Sequence, residues 1–203
     1  MLYKNTVEPN TFKLLEKLML MKSLNGFFLV GGTALSLQIG HRKSIDLDFF
    51  STEEFDTDEI VSQLKPDLIV QDSKRILQLV VDEIRVDIVN LPYPLIDKLI
   101  VEDGLRLASI KDIVAMKLKA IVSRGSKKDF YDVYFLLNHF SVEVMVNLFK
   151  EKYKDHEVFT VYKSLVYFED ADLEPEPILF EKLDWETVKN EISKEVKGFL
   201  ANL

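Results

Sequence analysis

The chain has 203 residues with a net charge of −8 at pH 7, and its composition is 47% hydrophobic and 30% charged. This length can bury the core of one domain, or of one domain with an appendage, and the balance excludes a disordered chain. No run of about 18 apolar residues occurs, which excludes a membrane span. Cysteine is absent, so disulfides, thiolate metal sites and cysteine nucleophiles are excluded. The first residues show no secretory signal, and we expect a cytoplasmic protein.

The acidic balance also bears on partners. A pI near 5.0 argues against a general nucleic-acid coat protein. A nucleotide substrate stays compatible with it, because carboxylates that bind magnesium add to the negative charge. The three histidines are scattered without metal-ligand spacing, so we expect no histidine-ligated zinc site.

Helical and strand patterns alternate in the first half of the chain. The stretch from Pro9 to Leu24 predicts a helix, residues 26–30 a buried strand, 33–40 a short helix and 45–50 an alternating strand. A helix is predicted over 57–64, followed by strands within 67–71, 75–81 and 84–90. Asp82 and Glu83 predict a tight hairpin between the last two strands, although the turn lacks glycine.

Beyond about Leu105, nearly every segment predicts helix. Two capping-box patterns open helices, one over 109–112 with its helix running to about Arg124, and one over 126–129 running to about His139. Two or three more helices follow, with an acidic connector over 169–177 that we expect to be solvated. The pattern predicts an α+β fold, a mixed, twisted sheet flanked by helices over 1–105 and a helical region over 106–203 packed on it. A single domain is the alternative.

Asp46 and Asp48 lie two residues apart in an otherwise apolar strand. Side chains alternate along a strand, so both carboxylates face the same side, opposite Ile45, Leu47 and Phe49. Such a pair can converge on one hard cation, and magnesium prefers carboxylates together with water and substrate phosphate. The alternative is a strand whose polar face meets water.

The residues upstream of this pair favour the metal hypothesis. Gly31 and Gly32 lie between a strand and a helix, where backbone amides can approach a phosphate. Arg42 and Ser44 then add donors just ahead of the carboxylates. A metal-bound triphosphate requires donors beside a carboxylate pair. A plain turn and a solvated loop are the alternatives.

The segment GGTALSLQIGHRKSIDLDFF resembles motif I of the nucleotidyltransferase superfamily, a GG or GS pair followed by DxD. Its sequence is similar to those of the AbiEii/AbiGii toxin branch, whose members act in toxin–antitoxin and phage-defence systems. The resemblance implies the nucleotidyltransferase core, an NTP substrate and one or two Mg²⁺ ions. It also implies a third strand carboxylate in the metal site. Asp87 is the candidate by position, and an ion pair with Arg85 or with the adjacent strand is the alternative.

A second block, AMKLKAIVSRGSKKDFYDVYFLL, is similar to a K…A…R…D…D pattern of the same branch. Lys117 and Arg124 fall on the apolar stripe of their helix, which directs Lys117 toward the interior or a cleft. A lysine at the margin of the stripe is the alternative. The resemblance implies that Lys117 contacts phosphate or acceptor and that Asp129 or Asp132 orients it. A cap role for Asp129 and a pair of Asp132 with Lys128 are the alternatives.

The sequence therefore predicts a Mg²⁺-dependent nucleotidyltransferase that moves a nucleoside monophosphate from an NTP to a hydroxyl of RNA, such as tRNA, or of protein. A cognate antitoxin is an expected partner. A small-molecule nucleotidyltransferase of the antibiotic type and a non-catalytic nucleotide-binding module are the alternatives. The predicted metal ligands are Asp46, Asp48 and Asp87, and the predicted catalytic residues are these three with Lys117, Asp129 and Asp132. The predicted nucleotide-binding residues are Gly31, Gly32, Thr33, Arg42, Ser44, Lys117 and Arg124.

Overall fold

The computed structural model describes residues 1–202 and contains two compact units. The first spans Met1–Ser109, and the second contains the residues from Ile110 onward. Residue 105, where the sequence predicts a boundary, is the first residue of the last strand of the first unit, and the predicted division into domains stays a prediction. Within residues 1–202, every helix is too short or too polar to cross a membrane.

The first unit is built on one seven-stranded mixed sheet. Its helices are α1 (Pro9–Leu20), α2 (Gly31–Ile39) and α3 (Thr57–Leu64). Its strands are β1 (Phe28–Leu29), β2 (Leu47–Ser51), β3 (Leu68–Ser73), β4 (Ile76–Val81), β5 (Ile84–Asn90), β6 (Ile100–Glu102) and β7 (Leu105–Leu107). The strand order is β3-β4-β5-β2-β1-β7-β6. The β2–β5 and β1–β7 pairs are parallel and the others antiparallel, so the predicted mixed sheet is confirmed.

Local sequence explains the turns between these elements. Asp82 and Glu83 form the predicted two-residue hairpin turn, both with positive φ (50° and 66°), as a type I′ turn requires even without glycine. Gly40 ends α2 in the left-handed conformation at φ 74°. The strands β6 and β7 were not predicted, because three residues are too few to show alternation.

The two faces of the central strands differ sharply. Leu47 and Phe49 in β2 and Val86 and Ile88 in β5 are fully buried. The residues between them point to the opposite face and keep partial exposure. Ile45 was expected on the buried face, but it precedes β2 and is 62% exposed.

The second unit is helical, as predicted. Its helices are α4 (Ile110–Ser123), α5 (Lys127–Leu137), α6 (Val142–Lys152), α7 (Val158–Leu165), α8 (Glu169–Asp172) and α9 (Trp185–Leu200). The aromatic cluster around Trp185 joins α9 to α5, since its ring stacks on Tyr131 and meets Phe130 edge-on. A buried ion pair of 2.8 Å joins Asp112 on α4 to Lys152 on α6.

The acidic segment over 169–177 is more than the solvated connector that its composition predicted. Its first residues form α8, in which Ala171 is buried. Asp172 accepts a 2.6 Å hydrogen bond from the Trp185 indole, and Glu174 accepts one of 2.9 Å from the backbone N–H of Lys127. This last contact satisfies an amide in the first turn of α5, which explains why an acidic residue is stabilised there.

Arg106 on β7 fixes the chain that leads into β1. Its guanidinium donates to the carbonyl oxygens of Met19, Leu24 and Phe27 at 2.8–3.0 Å. Burial lowers the pKa of Arg106. The donor fork therefore binds three carbonyls at the end of α1 and in the following turns, of which the Leu24 carbonyl also accepts from the Phe27 N–H.

We expect Arg106→Met to lower the free energy of unfolding by about 2–4 kcal/mol, since three carbonyls lose a charged donor at once. Arg106→Lys should recover only part of the loss, because an ammonium cannot reproduce the planar fork. Urea unfolding followed by far-UV circular dichroism measures both variants. Equal stability of Arg106→Met and the parent would contradict this role.

Candidate active site

The turn from β1 into α2 approaches the carboxylate of Asp48 very closely. Gly31 begins α2 with φ +69°, and a Cβ at this position would lie 2.2 Å from Oδ2 of Asp48. The backbone of the first helical turn therefore contacts the carboxylate directly, and only glycine permits both the φ angle and the contact. A backbone hydrogen bond of 2.8 Å from the Val30 N–H to the Asp48 carbonyl holds this arrangement.

The second glycine leaves room for the basic loop. A Cβ on Gly32 would lie 2.3 Å from an Nη atom of Arg42 and 3.3 Å from Oγ of Ser44. Arg42 is only 4% exposed and Ser44 only 8%. The structure thus brings together three of the residues predicted to bind the nucleotide, all beside the N-terminus of α2.

Thr33 links the helix to the residue that precedes β2. Its fully buried hydroxyl lies 2.5 Å from the carbonyl oxygen of Asp46 and 2.8 Å from Oγ of Ser44. A carbonyl only accepts, so Thr33 donates to Asp46 and accepts from Ser44. The contact fixes the backbone at Asp46, and a direct nucleotide contact by Thr33 stays a prediction.

The register of the sheet places the three predicted carboxylates together. Asp48 on β2 pairs directly with Asp87 on the parallel strand β5. Asp46 lies one residue before β2. Extending the Leu47–Val86 pair by one residue on both strands places Asp46 beside Arg85. All three aspartates keep partial exposure on the face opposite the buried core.

Asp87 is held by two neighbours. Arg85, on the same face of β5, approaches it with Nε–Oδ1 and Nη2–Oδ2 distances of 3.1 and 3.4 Å. Gln78 on β4 donates to Oδ2 at 3.0 Å. The ion pair with Arg85 that the sequence left open is therefore present. Gln78 was missed, because its place opposite Asp87 is visible only once the β4–β5 register is known.

The donor set suits magnesium with substrate rather than a complete protein cage. Within residues 1–202, no group of three or more His, Asp or Glu side chains is arranged to hold a metal ion. Mg²⁺ commonly takes one or two carboxylates and completes its shell with water and phosphate. Asp48, whose carboxylate faces the Gly31 backbone, and Asp46 beside it fit that description. A ligand role for Asp87 stays a prediction.

A second cluster of predicted residues lies within the second unit. Lys117 on α4 is 4% exposed, and its Nζ lies 3.0 Å from Asp129 and 2.5 Å from Asp132 on α5. Arg124 donates two hydrogen bonds to Asp129 at 2.9 and 3.2 Å. The interior direction predicted for Lys117 is confirmed, and a position at the margin of the stripe is wrong. Two cations and two carboxylates form a formally neutral cluster.

Asp129 is more than a helix cap. The helix α5 begins after Ser126 as predicted, but Ser126 donates its hydroxyl to Oδ2 of Asp129 at 2.7 Å and its side chain accepts no cap hydrogen bond. Burial by itself would raise the pKa of Asp129, but Lys117, Arg124 and Ser126 outweigh burial. They lower this pKa from its ordinary 3.8 to about 2. The carboxylate is therefore held ionised at neutral pH.

Comparison with known proteins identifies the family of this chain. The family described as "Nucleotidyl transferase AbiEii toxin, Type IV TA system" matches residues 13–201. The chain belongs to the AbiEii nucleotidyltransferase toxin family. An uncharacterised protein of Aquifex aeolicus (strain VF5) is 38% identical over 199 residues, covering 93% of this chain and 95% of that protein.

Two solved structures share the fold of this AbiEii family member. JHP933 from Helicobacter pylori has a TM-score of 0.57 at 22% identity, covering 97% of this chain and 94% of its own. MenT4, a nucleotidyltransferase toxin of Mycobacterium tuberculosis H37Rv, has a TM-score of 0.55 at 19% identity, covering 95% and 85%. At these identities the likeness shows the fold, and the predicted nucleotidyltransferase architecture is confirmed.

The ionised state of Asp129 predicts an acid-labile second unit. A carboxyl whose folded pKa lies below its unfolded pKa contributes stability above pH 3.8, and this stability is lost as the pH falls toward about 2. The contribution is roughly 2 kcal/mol. Urea unfolding, followed by fluorescence of the sole tryptophan, Trp185, measures the free energy of unfolding. We expect this free energy to fall by that amount between pH 5 and pH 2.

Asp129→Asn tests which group is responsible. This variant should be less stable at pH 7 and should lose less stability over the same acidic range. Glu151→Gln, on the exposed face of α6, removes one carboxylate and should keep the parental pH dependence. If Asp129→Asn loses as much unfolding free energy as the parent over this pH range, other carboxylates cause the acid sensitivity.

Proposed function

We propose that this family member transfers a nucleoside monophosphate from an NTP to an acceptor hydroxyl and releases pyrophosphate. RNA, such as tRNA, or a protein is the proposed acceptor, and a cognate antitoxin is a proposed partner. The observation that carries the proposal is the contact between the Gly31 backbone and the Asp48 carboxylate. It places a carboxylate pair beside a helix N-terminus, where a metal-bound triphosphate needs both.

The residues around α2 have distinct proposed roles. The backbone amides of its first turn would donate to phosphate oxygens, aided by the helix dipole. Arg42 is mostly buried against Gly32, so its guanidinium is positioned before substrate arrives. Such preorganised donors stabilise charge that develops on the transferring phosphoryl group.

Asp46 and Asp48 would hold one or two Mg²⁺ ions, with Asp87 as a third ligand or as the base. Bound Mg²⁺ would neutralise charge on the triphosphate and help to orient it. The acceptor oxygen would form a bond to the α-phosphorus, and the bond from that phosphorus to the bridging oxygen would break. Pyrophosphate would take up the released electron pair, and the acceptor proton would pass to a site carboxylate such as Asp87.

The cluster of the second unit has a proposed role in substrate contact. Lys117 would contact nucleotide phosphate or acceptor, with Asp129 and Asp132 orienting it and Arg124 contributing to the same charge pattern. The support is the rigidity of the cluster, since Lys117 lies within ion-pair distance of both carboxylates while almost fully buried. Buried, paired charges of this kind also perturb pKa values, as functional sites do.

The metal pair gives the direct test of the proposed function. We expect the wild-type protein to label bulk tRNA, or a protein fraction, from one of four α-³²P NTPs in the presence of Mg²⁺ and not of EDTA. Asp46→Asn/Asp48→Asn should reduce labelling about a hundredfold or more while melting no lower than the parent, because removing like charges relieves repulsion.

Asp67→Asn serves as the matched control, since this exposed carboxylate precedes β3 and should leave transfer unchanged. A folded double variant with parental transfer would refute the assignment of the pair. If only a small-molecule acceptor is labelled, the proposed reaction is supported and the proposed RNA or protein acceptor is wrong.

Lys117 requires a charge-balanced test, because its removal leaves two carboxylates buried. We expect Lys117→Met alone to lose about 3–5 kcal/mol of stability. Adding Asp132→Asn should recover part of that loss, because the remaining Arg124 and Asp129 balance each other. If Lys117 acts on substrate, the double variant will be folded and inactive in the labelling assay.

Asp132→Asn alone is the control for the loss of that carboxylate. A folded Lys117→Met/Asp132→Asn protein that transfers nucleotide at the parental rate would make the cluster purely structural.

A further inference from the structure

Arg85 is an exposed cation on the face of the sheet that carries Asp46, Asp48 and Asp87. It lies two residues before Asp87 on β5 and therefore points to the same side of the sheet. Extending the parallel register of β2 and β5 by one residue brings Arg85 beside Asp46, just as Asp87 lies beside Asp48. The face thus carries three aspartates, and the Arg85 guanidinium lies next to Asp87 and in register with Asp46.

Electrostatics agrees with this placement. Hydrogen bonding and charge attraction to Asp87 raise the pKa of Arg85, and the charges of Asp46 and Asp48 raise it further. All three carboxylates therefore act on the same guanidinium. The side chain of Arg85 is 54% exposed, whereas that of Asp87 is 19% exposed. An arginine with such exposure can leave its partner at little energetic cost, because exposed ion pairs contribute only about 0–1 kcal/mol.

We propose that Arg85 is a resident counter-cation of this site, a positioning residue that competes with the divalent metal for the carboxylates. With the guanidinium on Asp87, two of the carboxylate's hydrogen-bonding positions are taken by Arg85 and a third by Gln78. The inference rests on the proposed function, since it concerns the same metal pair.

If Arg85 competes with the metal for the carboxylates, removing its charge should strengthen metal binding, whereas removing an ordinary surface ion pair should not. Arg85→Gln removes the charge but keeps a side chain able to donate to Asp87. The affinity for Mn²⁺ alone, a carboxylate-seeking probe measured by electron paramagnetic resonance, should then increase about tenfold, as expected for one charge close to the site. In EDTA the melting temperature should fall, because three carboxylates lose their counter-cation, and the rise caused by Mn²⁺ should be larger than in the parent.

Two further variants make the result specific. Arg85→Lys keeps the charge and should bind Mn²⁺ within about twofold of the parent, a change of less than 0.5 kcal/mol. Lys17→Gln removes the same charge from the exposed face of α1, a helix that packs near β7, and should leave Mn²⁺ affinity unchanged.

The outcomes separate this inference from the proposed function. Tighter Mn²⁺ binding in Arg85→Gln, and in neither control, supports competition. Equal or weaker binding in Arg85→Gln, in a parent that binds Mn²⁺ and transfers nucleotide, overturns the inference and leaves the proposed function standing. A parent with neither saturable Mn²⁺ binding nor nucleotide transfer overturns both.

Discussion

The candidate site depends on one close approach, that of the Gly31 backbone to the Asp48 carboxylate. A helix that starts in the left-handed conformation, one residue after β1, brings its first turn against the start of β2. Any side chain at this position would displace Asp48. The arrangement therefore combines a donor surface and a carboxylate within one turn of chain. Neither the glycine pair nor the carboxylate pair alone would produce it.

The hydrophobic core keeps this approach in register. Leu47 and Phe49 lie fully buried on one face of β2, and Val86 and Ile88 do the same on β5. A slip of one residue would turn these side chains to solvent and the aspartates into the core, at a cost of several kcal/mol. The alignment of Asp48 with Asp87 is thus a consequence of packing on the opposite face of the sheet, so the core indirectly holds the charged residues together.

Periodicity and motif spacing predicted the larger elements, because each carries a local signal. The aspartate pair, the glycine turn, the buried direction of Lys117 and the α5 start all follow from such signals. Contacts between distant segments have no such local signal in the sequence. The Gln78 hydrogen bond to Asp87 depends on the register of two strands. Two other contacts depend on the tertiary fold, which brings distant segments together: the Thr33 hydroxyl with the Asp46 carbonyl, and Glu174 with the start of α5. Composition alone misassigned the acidic segment for the same reason.

The two carboxylate clusters handle their charge in opposite ways, and the difference follows from burial. In the second unit, Asp129 and Asp132 are fully buried, so their ionisation requires cations at hydrogen-bond distance, and Lys117 and Arg124 supply them. On the sheet, partly exposed aspartates tolerate excess negative charge because water screens it. A cluster of two buried carboxylates paired with two cations is formally neutral, whereas the three sheet carboxylates outnumber the charge that Arg85 brings to them. The two clusters therefore differ in what holds their carboxylates: paired cations do so among the helices, and partial contact with water does so on the sheet.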